Sequence, residues 1–121
     1  MAKAAEEFVA AIYGLPMQPD TGKDPGWDFL LRTGPILTVD VKWSPREDAH
    51  LLVKKGGLRA TAYVLVTGKR PEEFRLAGWA WRLALVDTEV DMGHGPGHGL
   101  AQSALHPNVD LFFAMAGWVR Q

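Results

Sequence analysis

Two short segments decide the reading of this chain: Asp28-Phe29-Leu30-Leu31 and, with its acid twelve residues further on, Thr38-Val39-Asp40-Val41-Lys42. In the second, Val39 and Val41 alternate with Asp40 and Lys42, so a strand sends the valines to one face and the two charged residues to the other. Thr33-Gly34-Pro35 supplies a turn, so residues 27–32 and 36–43 read as a hairpin that sets Asp28 beside Asp40. An acid next to a lysine on a half-buried strand costs free energy unless something binds there. A cation for the carboxylates and a phosphate for the ammonium would serve.

Upstream, Ala5, Phe8, Val9 and Ile12 follow helical spacing and Gly14-Leu15-Pro16 closes the pattern, which predicts a helix over 3–14. Glu6 lies on the flank of its apolar face, whereas Glu7 faces Ala10, Ala11 and Gly14, a poorer core-facing flank. Prolines and glycines mark 16–26 as a loop. Downstream of the hairpin, a polar connection over 44–48 leads to a third strand at 50–53 and the basic turn Lys54-Lys55-Gly56-Gly57. Residues 60–67 are the most strand-like run, apolar enough to lie at the centre of a sheet. A strand at 74–81, a short helix at 81–87, a glycine-rich loop at 92–99 and a closing helix at 108–119 complete the expected order.

With 121 residues the chain has the length of one domain, 1–121, around one core. No apolar run approaches a membrane span, and acids arrive at Glu6 and Glu7 where a signal peptide would be greasy, so a cytoplasmic location and no membrane partner are expected. The absence of cysteine excludes disulfides and thiolate metal sites. Charge is unevenly spread. Residues 1–41 hold three bases and six acids, 42–82 nine and four, and 83–121 one and four. That basic middle third, with Lys54, Lys55, Arg59, Lys69 and Arg70 in two turns bracketing the central strand, can meet a polyanion although the whole chain is near neutral.

Phosphodiester cleavage needs a nucleophilic water, neutralisation of charge growing on the phosphate and help for the leaving oxygen. Magnesium held by carboxylates, with manganese as its substitute, supplies most of this. Asp28 and Asp40 are the obvious oxygen ligands, the main-chain carbonyl of Val41 completes the set, and Glu6 offers a third carboxylate. Lys42 is placed to orient the attacking water as a base, or to stabilise developing charge. The bland reading makes Asp40 and Lys42 a surface pair worth a few tenths of a kcal/mol.

The order of these features, a helix with Glu6, then Asp28, then Asp40-Val41-Lys42, resembles the PD-(D/E)xK nuclease superfamily, and small phage and archaeal single-domain members in particular. Residues 60–67 and 74–80 look like the core strands that follow the catalytic hairpin there, so the likeness covers roughly residues 3–82. It implies an α/β fold with a mixed central β-sheet flanked by helices, a restriction-endonuclease-like core in the order α-β-β-β-β-β with a C-terminal helix. It also implies a magnesium-dependent deoxyribonuclease with Asp28 and Asp40 as metal ligands, Lys42 as the catalytic lysine and Glu6 as the extra helix acid. Two departures are visible: Trp27 stands where the motif often has proline, and the spacing of twelve is short. Gln102 weakly resembles a glutamine some relatives carry, without an assigned role.

A chain of this size leaves no room for a separate sequence-reading domain, which favours cutting selected by DNA structure at junctions, flaps or ends, or recruitment by a protein partner. Cutting both strands with one site per chain calls for a homodimer. The rival reading is a catalytically inactive module of the same fold that binds nucleic acid or serves in protein assembly. A third is a protein-interaction domain without nucleic acid, favoured if the basic turns lie far from Asp40. His94 and His98 invite a metal reading, but Gly95-Pro96-Gly97 forbids the helix that would pair them, and a loop is expected instead. The tryptophans are expected in the core or at dimer contacts, with Trp43 in the core.

Overall fold

Residues 1–17, 25–34 and 36–119 are described in the computed structural model. Residues 18–24 of the expected loop and Pro35 of the expected turn lie outside them. The protein is mixed α/β, with two sheets and a few helices.

Helix α1 (Ala2–Tyr13) buries Ala5, Val9, Ala10 and Tyr13, the stripe its periodicity predicts. Gly14 ends it in the left-handed conformation, φ 63°, donating its N–H to the Ala10 carbonyl. The hairpin forms as expected from β1 (Phe29–Arg32) and β2 (Ile36–Ser44), antiparallel, with Phe29 opposite Val39. β3 (Leu51–Lys54) leaves this sheet, and the chain returns through β4 (Ala62–Thr67), which runs parallel to β2 with Asp40 opposite Tyr63 and Lys42 opposite Leu65. All six β4 residues are buried, as a central strand requires. Antiparallel β5 (Arg75–Trp81) closes the sheet in the order β1-β2-β4-β5.

The two faces of this sheet carry different cores. Val39, Val41, Ala62, Val64, Val66 and Trp79 pack against α1 and against α3 (Val109–Met115), which brings Phe112 and Phe113. Asn108 caps α3 by accepting the Leu111 N–H at 3.1 Å, and Gly117, φ 76°, ends the helical path before the expected residue 119. Tyr13 ties the helices together, its hydroxyl donating to Asp110 at 2.5 Å. Trp43 packs against this core, with its indole N–H on the Gly68 carbonyl at 2.9 Å, as its place opposite Lys42 predicts.

The opposite face, with Tyr63, Leu65, Ala77 and Ala80, packs on Leu51, Val53 and Leu85, the last from α2 (Arg82–Leu85). Here the structure corrects the sequence reading twice. The third strand does not join the central sheet, and residues 92–99 are not simply loop. β6 (Glu89–Asp91) and β7 (Pro96–Leu100) form with β3 a second, antiparallel sheet in the order β3-β7-β6.

The reason lies in the glycines. A Cβ on Gly97 would stand 2.7 Å from the Val53 carbonyl and collide with the Met92 sulfur, and one on Gly99 would stand 2.9 Å from Leu52 Cδ2. Glycine is used in this strand for close approach, not for flexibility. Gly97→Ala is expected to cost about 1–3 kcal/mol through this overpacking, read as a lower denaturation midpoint with unchanged m-value. An unchanged midpoint would contradict the packing.

Candidate functional site

The strand alternation does what the sequence implies: Asp40 and Lys42 share the face of β2 opposite the valines, and Lys42 Nζ lies 2.9 Å from Asp40 Oδ2. Asp28 sits just before β1, where its N–H donates to the Val39 carbonyl at 2.9 Å and its Oδ2 accepts the Val41 N–H at 2.7 Å. These bonds hold the Asp28 side chain against Asp40. Glu6 reaches the same point from α1, and its carboxylate meets that of Asp28, whereas Glu7 is exposed. Glu6, Asp28, Asp40 and Lys42 thus line one cleft, with Lys42 in contact with Asp40 and Glu6 beside Asp28.

The cleft measures about 330 Å³, and Lys54 and Arg59 belong to the same lining. Lys55 is exposed on the same turn. The other expected basic turn is placed differently. Lys69 and Arg70 follow the opposite end of β4 and line no part of this cleft, and Arg70 is paired with Glu73 at 2.9 Å and Glu72 at 3.6 Å.

Burial of the acids sets their electrostatics. It pushes the Asp28 carboxyl up to about 6, with Glu6 pushing the same way and the hydrogen bonds from Asp40 and the Val41 N–H working against both. Asp40, 9% exposed, is pushed up to about 7 by burial and by the adjacent Asp28 carboxylate, and Lys42 only partly offsets this. For the Lys42 ammonium burial acts downward, but Asp40 and Asp28 outweigh it and its pKa is raised. Burial and the crowding of carboxyls thus hold both Asp28 and Asp40 above the usual aspartate range.

Two further residues build the cleft without having stood out in the sequence. Tyr63, opposite Asp40 in the sheet, donates its hydroxyl to the Gly57 carbonyl at 3.0 Å and accepts the Ala60 N–H at 3.2 Å. It thereby pins the segment that carries Arg59. Gly26, φ 86°, lies against Arg59; a Cβ there would approach Arg59 Cβ to 2.7 Å. The single aromatic residue of the central strand was the available signal for Tyr63.

The remaining sequence candidates have structural surroundings. His98 is buried on β7 with Nδ1 2.8 Å from the Leu85 carbonyl, while His94 is exposed. Gln102 donates to the carbonyls of Glu47 at 2.6 Å and Ala49 at 3.0 Å, bracing the connection from β2 to β3.

The chain matches no protein-family model, curated protein or solved structure. Among the described residues no helix is long and apolar enough to cross a membrane. No group of three His, Asp or Glu side chains among them stands ready-made around a metal ion; Asp40 is turned to Lys42, and one Asp28 oxygen is engaged by Val41. The carboxylate oxygens of Glu6, Asp28 and Asp40 are the donor type that suits a hard divalent cation.

Proposed function

We propose that this chain is a magnesium-dependent nuclease of the PD-(D/E)xK type that hydrolyses DNA phosphodiesters. The observation that carries the reading is that Glu6, Asp28 and Asp40 line one cleft with Lys42, which is paired with Asp40, and that Lys54 and Arg59 belong to the same lining. A structural ion pair needs one acid for one lysine. Here two further carboxylates are held close at an electrostatic cost that burial enlarges. The hairpin followed by a parallel β4 and an antiparallel β5 supports a restriction-endonuclease-like core, with β3 and the second sheet as the crossover on one face.

Asp28 and Asp40 would hold the cation, with the Val41 carbonyl and Glu6 as auxiliary oxygens. Bound there, magnesium supplies charge neutralisation at the phosphate and acidifies a water. Lys42, whose pKa is raised, is protonated at neutral pH, which favours charge stabilisation over action as a base. Lys54 and Arg59 meet the phosphates on either side of the scissile bond and orient the strand.

The test is cleavage of branched, flapped and linear DNA in magnesium or manganese. No cleavage of any of them would end the enzymatic reading, and salt-sensitive binding without cleavage would support the inactive nucleic-acid-binding module. Binding also discriminates between the basic turns. Lys54→Ala with Arg59→Ala should weaken DNA affinity and flatten the plot of log affinity against log salt by about 1–2 units of slope. Lys69→Ala with Arg70→Ala should change both far less, since Arg70 is already spent on Glu72 and Glu73. Equal effects of the two pairs, measured by fluorescence anisotropy, would count against the cleft as the phosphate path.

A further inference from the structure

A second cavity, about 650 Å³, neighbours the cleft with the acids, and Lys42 lines both. One wall is the outer half of β2; the other is the second sheet. In that sheet Leu52 and Lys54 are two residues apart on β3 and project to the same face, opposite the buried Leu51 and Val53. Lys54 reaches the acidic cleft and Leu52 the larger cavity. The two hollows therefore adjoin at Lys42, and Leu52 and Lys54, about 6.6 Å apart along β3, line one each.

The chemistry changes from one hollow to the next. The first is charged. The second has an apolar wall of Leu52, Val90 and Met92, with Leu52 and Val90 38% and 37% exposed. This wall is built on the glycines of β7: a side chain at Gly99 would displace both Leu52 and Val90, and one at Gly97 would displace Met92. Around the wall stand His50, Arg46, whose Nε is 3.5 Å from Asp48 with its other guanidinium N–H groups left to donate, and Asp91, whose Oδ1 accepts the Gly93 N–H and whose Oδ2 is left to accept. A flat apolar surface with mixed hydrogen-bonding groups at its edge, beside a phosphate site, matches a nucleobase and its sugar. The volume lies within the range of about 300–1,000 Å³ usual for small-molecule sites.

We infer that this second cavity is a nucleobase subsite, which takes the base of the nucleotide adjoining the scissile phosphate after that base has left the helical stack. The inference rests on the nuclease reading and narrows its substrate: DNA with an unpaired nucleotide at the cut, as in a single strand, a flap or a bulge. A base held in a continuous duplex is stacked and paired and cannot enter; an unpaired one enters at little cost. Asp91 accepting and Arg46 or His50 donating satisfy the base edge without demanding one sequence.

The experiment compares flapped substrates that carry either a normal nucleotide or an abasic tetrahydrofuran residue at each position around the cut, with binding measured in calcium and cleavage in magnesium. The native chain should bind the substrate lacking one particular base roughly 10-fold more weakly, the loss expected when one stacked base is removed. Val90→Trp, which fills the cavity, should bring the intact substrate down to the abasic level and leave the abasic substrate unchanged. Met92→Phe provides a milder filling should the tryptophan destabilise the sheet. Cleavage that is indifferent to the abasic position, or as fast on fully paired duplex as on the flap, would overturn the subsite while leaving the nuclease intact. Absence of cleavage and of binding on every substrate would remove both.

Discussion

Lys42→Ala is expected to lower the rate of magnesium-dependent DNA cleavage by about 10²–10³-fold while leaving the protein folded. The size follows from removing one preorganised positive group from a site where phosphate charge develops. Folding should survive because the side chain is 37% exposed and its ion pair with Asp40, although short, is reached by solvent. The buried Asp40 carboxyl, already pushed up to about 7, takes up a proton when the ammonium is removed and is not left as a bare charge. Lys42→Arg should not restore the rate, since a planar guanidinium cannot place its charge where a compact ammonium does. The decisive comparison is single-turnover cleavage by native and variant chains, with melting curves recorded alongside. Equal rates would show that Lys42 is only a neighbour of Asp40.

Asp28→Asn should have the opposite effect on stability from that of most buried-site substitutions. In chelator, the native chain should lose stability as pH rises from about 4 to 7. Well below the ordinary aspartate pKa of 3.8 both aspartates are protonated in the folded and the unfolded chain alike. With rising pH the unfolded chain releases protons that the folded one, with Asp28 at about 6 and Asp40 at about 7, still retains. The folded state binding more protons means that stability falls as pH rises, and the fall ends once the pH has passed through the folded Asp40 value of about 7.

The two acids titrate as a coupled pair partly reached by water, so the total is about 2–4 kcal/mol. That corresponds to a fall in melting temperature on the order of 10 °C. Asparagine keeps an oxygen for the Val41 N–H and removes the charge that opposes Asp40, so Asp28→Asn should melt higher than the native chain at pH 8 and show a flatter pH profile. Magnesium should raise the native melting temperature at pH 8 and leave that of the variant nearly unchanged, because only the folded native site gains a ligand. A variant that melts lower than native at pH 8 would mean that the carboxylates are not in conflict.

Much of the fold was legible because its elements bury simple periodic patterns. The period of α1, the alternation of β2 and the unbroken apolar run of β4 each have a single low-energy packing. β7 was not legible. Gly97 and Gly99 resemble loop residues, and their role appears only when Val53, Leu52 and Met92 are brought against them by a different part of the chain. The fate of β3 was hidden for the same reason: a short apolar strand pairs with whichever edge is near, and that edge was the unrecognised β7. The third reading, a protein-interaction domain, was tied to basic turns remote from Asp40. One turn is remote, but Lys54 and Arg59 are not.

By itself the sequence determined which groups share a face. The two-residue period of a strand puts Asp40 with Lys42 and away from Val41 whatever the rest of the chain does, and the helical period puts Glu6 rather than Glu7 beside the apolar stripe. Only the tertiary structure decided what those faces meet. Glu6 reaches Asp28 because α1 docks on the sheet, Lys54 and Arg59 reach the acids because β3 leaves that sheet and Tyr63 pins the return, and the cavity beyond Lys42 exists because two glycines let a second sheet carry its apolar wall. Local periodicity is a property of neighbours along the backbone; a cleft is a property of surfaces many residues apart, and no short-range pattern encodes their separation.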